Sequence, residues 1–212
     1  MKKKWLSGMI VLLAIIGFGI SFQYFRYKAS VKKEVGKAIS LIDKRKKDVM
    51  EELNLEKNDL SEEIPLIYAV KHEEKIGDYP YQPYLEFHEE GEDTELIKYW
   101  FVFDELSGEK VRKLIGQVFQ QISEELKLDT HEHIAGTITY AGKTTQSCNV
   151  SAVDITADEW KKLETCQFTE IWKRKDQRPF QVQFQKSRNP SGEAQYFLIF
   201  SEWYDRLSER EN

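Results

Sequence analysis

Four histidines, two cysteines and a dense run of carboxylates are the residues whose types and spacing could do chemistry in this chain. In Thr130-His131-Glu132-His133 the imidazoles stand at i and i+2, so an extended segment puts both on one face with Glu132 pointing away. That makes two ligands, short of the three or four that zinc takes. His72 or His88 would have to complete the set, and the spacing is not that of H-E-x-x-H. Solvated histidines ahead of a strand are the simpler reading, and no metal is assigned. The connector Glu89-Glu90-Gly91-Glu92-Asp93-Thr94-Glu95 gathers acids without the D-x-[DN]-x-[DN]-G order of an EF-hand loop, which leaves a solvated hairpin tip. Cys148 and Cys166 either close one disulfide in an exported domain, contributing about 3 kcal/mol in the chain-entropy model, or remain two buried thiols. No C-x-x-C supports a redox or zinc role.

Nucleophile and phosphate motifs are missing. There is no G-x-S-x-G elbow, no S-x-x-K, and no glycine-rich phosphate loop. Asn149-Val150-Ser151 fits a glycosylation sequon, a triplet common by chance. Carboxylate pairs for glycosidase chemistry depend on a three-dimensional separation that spacing does not supply. No catalytic residue and no cofactor is assigned, and the chain reads as a non-enzyme. The surface is more informative, because aromatic residues make up 13% of the chain. Trp100 and Trp172 read as core. Tyr79, Tyr81 and Tyr84 sit among Pro80 and Pro83 in what reads as a rigid loop, where pre-ordered rings would anchor a protein interface. The adjoining Glu89, Glu90, Glu92 and Asp93 would steer a basic partner.

The elements that must position these residues begin with a membrane segment. Lys2, Lys3 and Lys4 precede an apolar run at 5–22, and Tyr24, Phe25, Arg26, Tyr27 and Lys28 follow it. About 20 apolar residues span a bilayer core, and the aromatic and basic flank suits its interface. An uncleaved anchor through residues 5–25 is favoured over a cleaved signal, since Gly19-Ile20-Ser21 is a poor cleavage site. The leading lysines favour an N-terminus inside and a soluble domain outside the cytoplasm. Residues 1–29 hold five of the 31 basic residues and none of the 36 acidic ones, so the remainder carries a net charge of −10. So acidic a domain excludes nucleic acid as a partner.

Residues 30–57 show apolar positions at three- and four-residue spacings, broken where Asp43 meets Lys44-Arg45-Lys46-Lys47, and read as an amphipathic helix or stalk. Residues 109–127 carry the clearest helical stripe, Val111, Leu114, Ile115, Val118, Phe119, Ile122 and Leu126. Thr156-Ala157-Asp158-Glu159 is a capping box. Strands are predicted at 84–88, 96–103, 134–141, 148–153, 168–172, 180–185 and 194–200, and short connections require antiparallel pairing. The predicted class is α+β: after a transmembrane helix, a mainly antiparallel sheet of about six or seven strands with a long amphipathic helix on one face. The predicted organisation is an anchor at 1–29, the helix or stalk at 30–57 and an extracytoplasmic domain at 58–212.

Met1-Lys2-Lys3-Lys4-Trp5 leading into the anchor, the size of the chain and its β-rich acidic ectodomain resemble the TipC-type immunity proteins of Gram-positive bacteria. The resemblance implies a membrane-tethered domain that binds a toxin delivered by type VII secretion, a stoichiometric block without catalysis. It carries over no individual residue. The sequence therefore reads as a single-pass membrane protein whose exported domain binds another protein. A structural subunit of a membrane or secretion assembly, and an envelope hydrolase using unrecognised carboxylates, are the alternatives.

Overall fold

Helices form where apolar residues recur every three or four positions, and strands where they alternate. A computed structural model describes residues 2–88, 94–104, 106–128, 130–140, 142–146, 150–175 and 178–202, without the side-chain surroundings of residues 1–20 and 146. Helix α1 (Lys2–Leu41) is unbroken. Its Tyr27, Val31, Val35, Ala38 and Leu41 fall on one face and are buried. The helix ends just before Asp43, whose φ of 68° is left-handed, and the short α2 (Lys46–Glu52) follows. The single helix expected over 30–57 is thus the end of α1 plus α2, parted at the charge run where the apolar stripe lapses. Tyr27, Val49 and Leu55 share one core with the sheet, so residues 30–57 are an integral layer of the domain and not a separate stalk. Among the described residues no helix is long and apolar enough to cross a membrane. The anchor expectation rests on residues 5–25, of which 5–20 are described in their backbone alone.

The class is α+β with one large antiparallel sheet, as expected. The strands are β1 (Leu60–Ile64), β2 (Ile67–Val70), β3 (Glu74–Ile76), β4 (Tyr79–Phe87), β5 (Leu96–Asp104), β6 (Glu132–Tyr140), β7 (Lys143–Gln146), β8 (Thr165–Trp172), β9 (Phe180–Arg188) and β10 (Ala194–Glu202). They run in the order β1-β2-β4-β5-β10-β9-β8-β6-β7, with β3 pairing the start of β4. Among the described residues ten strands replace the expected six or seven, because pieces of three to five residues, such as β1 and β3, are too short to show a period of two. The strand that returns along β6 is β7; of the return strand predicted at 148–153, residues 148 and 149 lie outside the described residues and 152–154 form a turn.

Helix α3 (Gly108–Leu126) starts at Ser107, whose hydroxyl accepts the Lys110 N–H, and stops at Lys127 in the left-handed region. Gly108 permits its close approach to α4 (Ala157–Lys162), since a Cβ there would lie 2.2 Å from the Ala157 carbonyl oxygen. All four helices pack on one face of the sheet. They meet Tyr81, Phe101, Phe103, Phe168, Trp172, Phe180, Phe184 and Phe200 in a single core.

Candidate functional site

The i, i+2 histidines do share a face, and the feature that organises them is a carboxylate on the next strand. In β8 the alternation Cys166, Phe168, Glu170, Trp172 points into the core, so Glu170 is fully buried. His133 lies directly opposite Glu170 in the ladder. One carboxylate oxygen, Oε1, accepts from Ser151 Oγ at 2.7 Å and the Ala152 N–H at 3.2 Å, with His133 Nδ1 at 3.1 Å. His131 Nε2 is 3.4 Å from Oε2, and its ring stacks on Trp172 with centroids 4.8 Å apart. Glu132 points to the opposite side and pairs with Lys173 at 2.7 Å.

This arrangement fixes structure. The Ser151 proton is directed at the Glu170 carboxylate and not at an imidazole. The donors converge on one carboxylate and clasp the segment leading into α4 onto β8. Among the described residues no group of three or more His, Cys, Asp or Glu side chains has the placement to hold a metal ion.

The tyrosine reading is corrected in part. The strand predicted at 84–88 begins earlier, at Tyr79, so residues 79–83 are not a loop, and Tyr79 and Tyr81 are buried core residues, unable to act as surface anchors. A strand accommodates proline wherever the ladder does not need its missing N–H. The Tyr81 hydroxyl donates to Glu34 Oε2 at 2.7 Å, and Lys37 pairs with the same carboxylate. Glu34, on the buried side of α1 between Val31 and Val35, thereby ties α1 to β4. Burial, with the Glu34 charge beside it, pushes the Tyr81 phenol far above its usual range.

Tyr84 alone of the three faces away from the helices, and there it joins a surface that the sequence did not reveal. The ladder registers place Ala69, Tyr84, Trp100, Ile199, Gln183, Thr169 and Ala135 in one row crossing seven strands. Beside it runs a second row, Gln82, Val102, Phe197, Gln185, Gln167 and Thr137. Neither row contains a charged residue, although charged residues make up 32% of the chain. Val102 and Ile199 are buried and form an apolar floor. Tyr84, Trp100, Phe197, Gln183 and Gln185 are half-exposed above it. Trp100 is therefore not a core residue; its ring meets Phe197 edge-on at 6.3 Å. Among the described residues its indole N–H has no hydrogen-bond partner, nor has Glu86 Oε2 two positions along the strand from Tyr84. On the next row Lys98 and Glu86 neutralise each other at 2.7 Å.

Of the remaining candidates, Glu89, Glu90, Glu92, Asp93 and Cys148 lie outside the described residues. Cys166 is a buried free thiol, pushed up to about 12 by desolvation. Opposite it, the Lys186 ammonium donates to the carbonyls of Trp160 and Leu163 at 3.0 and 2.5 Å and caps the end of α4. Burial lowers its pKa. No family model matches the chain, and no curated protein or solved structure shows significant similarity to it.

Proposed function

We propose that the chain is a non-catalytic, membrane-tethered protein whose extracytoplasmic domain binds another protein through the helix-free face of its sheet. The observation that supports this reading is the uncharged double row around Tyr84, Trp100 and Phe197. Half-exposed aromatic rings over an apolar floor, framed by amides, have the composition of an interface centre. On the resemblance to TipC-type immunity proteins, the partner is a secreted toxin held stoichiometrically, and the acidic residues around the face assist encounter with a basic one.

The test is capture of the full-length chain from its native membrane, beside a variant carrying Tyr84→Ala and Phe197→Ala. The expected result is one stoichiometric protein recovered with the parent and lost with the variant, whose circular dichroism is unchanged. Recovery of the same protein by both chains, or of none by the parent, contradicts the reading.

A further inference from the structure

The unbroken path of α1 fixes which end of the domain faces the bilayer, an inference that rests on the anchor reading above. Phe22, Tyr24 and Phe25 are exposed rings, and the first buried residue among those described is Tyr27, two positions beyond Phe25. Two residues of helix rise about 3 Å, which leaves no linker between the interface aromatics and the core. The turn between β3 and β4 is held against this same turn of α1. Gly77 has a φ of 63°, and a Cβ there would lie 2.2 Å from the Tyr27 ring. Its N–H donates to Ser30 Oγ at 2.9 Å, and that hydroxyl donates to the Lys75 carbonyl at 3.4 Å. Tyr79 meets Tyr27 edge-on at 5.9 Å. From α3, Lys113 places its ammonium 4.3 Å from the Tyr27 ring.

Three separate elements therefore bring bases to the level at which α1 would leave the membrane: Arg26 and Lys28 from α1, Lys75 from β3 and Lys113 from α3. Acids lie here too: Asp78, exposed in the turn, Glu74 beside Lys75, Glu109 one turn before Lys113, and Glu124, 3.7 Å from Lys28. Lys110 and Arg112, exposed on the same stretch of α3 as Lys113, bring the bases to six against these four acids, on a domain whose remainder is strongly acidic. We propose that this end, built from Arg26, Lys28, Lys75 and Lys113 around Tyr27, docks on the anionic phospholipid headgroups of the leaflet that α1 leaves. Basic side chains within a Debye length of an anionic leaflet are attracted to it, and the acidic body above is repelled. The domain is thereby held upright on one foot, with its helix-free sheet face to the side and open to a partner.

The test reconstitutes the full-length chain in vesicles of phosphatidylcholine alone, or with about a third phosphatidylglycerol, and follows flotation and amide exchange of residues 74–80. The expected result is flotation in both compositions, with exchange of the turn slowed roughly fivefold or more in the anionic vesicles. The exposed pair Lys75→Gln and Lys113→Gln should float equally well and lose the composition dependence. Flotation with identical exchange in both compositions overturns the docking surface while leaving the anchor standing. A chain that fails to float in either composition overturns the anchor and the surface with it.

Discussion

The two faces of the sheet use similar residues to opposite ends. On the helix-covered face, Tyr81, Phe101 and Trp172 are buried and their polar atoms are matched internally: Tyr81 to Glu34, and the Trp172 indole N–H to Ser123 Oγ at 2.8 Å. On the other face Tyr84, Trp100 and Phe197 are half-exposed, and the Trp100 N–H is unmatched among the described residues. Among the described residues buried polar atoms without a partner occur on both faces, Trp160 Nε1 and Glu170 Oε2 on the covered one and Trp100 Nε1 on the other, so burial and charge, not satisfaction, separate the faces. An uncharged surface of half-exposed aromatic rings marks the one left for a partner.

The largest expected effect separates the faces by stability. Trp172→Ala leaves a cavity between β8 and α3 and should cost about 4 kcal/mol in denaturant unfolding, whereas Phe197→Ala should cost about 1 kcal/mol or less. Comparable losses would erase the distinction. Next is Glu170→Ala, which strands the Ser151 hydroxyl and the Ala152 N–H in the core. It should cost about 3 kcal/mol and expose the segment around 150–156 to proteolysis. Gly77→Ala should cost about 2 kcal/mol, from the positive φ and the collision with Tyr27; an unchanged midpoint would show that the turn does not lean on α1.

The smallest effect is electrostatic and lies at the end of α1. Partial burial first, then the neighbouring Glu202 and Glu95 carboxylates, raise the Asp43 pKa from 3.8 to about 6, against the opposing pull of Arg178. The folded state thus binds this proton more tightly than the unfolded chain does. Its contribution to stability is complete below about 3.8 and lost as the pH rises through about 6. Asp43→Asn, which tolerates the left-handed backbone, should flatten the pH dependence of stability between these values and raise stability slightly at pH 7. Asp43 is largely exposed, so solvent screening keeps the change small. A pH profile identical to the parent's would exclude Asp43 as its source.

Legibility in the sequence followed length and period. Helix α3, the capping box of α4 and the alternation of β9 could be read because each carries enough residues to display its repeat. Strand β4 was obscured by Pro80 and Pro83, which read as turn residues although Tyr79, Tyr81, Leu85 and Phe87 alternate inward across them. Glu170 was signalled weakly, as the one carboxylate among the inward positions Cys166, Phe168 and Trp172, and Glu34 likewise within the buried stripe of α1. The uncharged double row had no sequence signal at all. Its residues come from seven strands far apart in the chain, and only the ladder registers bring Tyr84, Trp100 and Ile199 side by side.

The most direct measurement is site-specific photo-crosslinking of the full-length chain in its native membrane, with the reactive residue at position 84 or 197 and, for comparison, at the exposed position 120 on α3. A discrete adduct with one protein from 84 and 197, and none from 120, is the predicted result. No adduct from the sheet face, or equal labelling from α3, would contradict the assignment of that face as the binding surface.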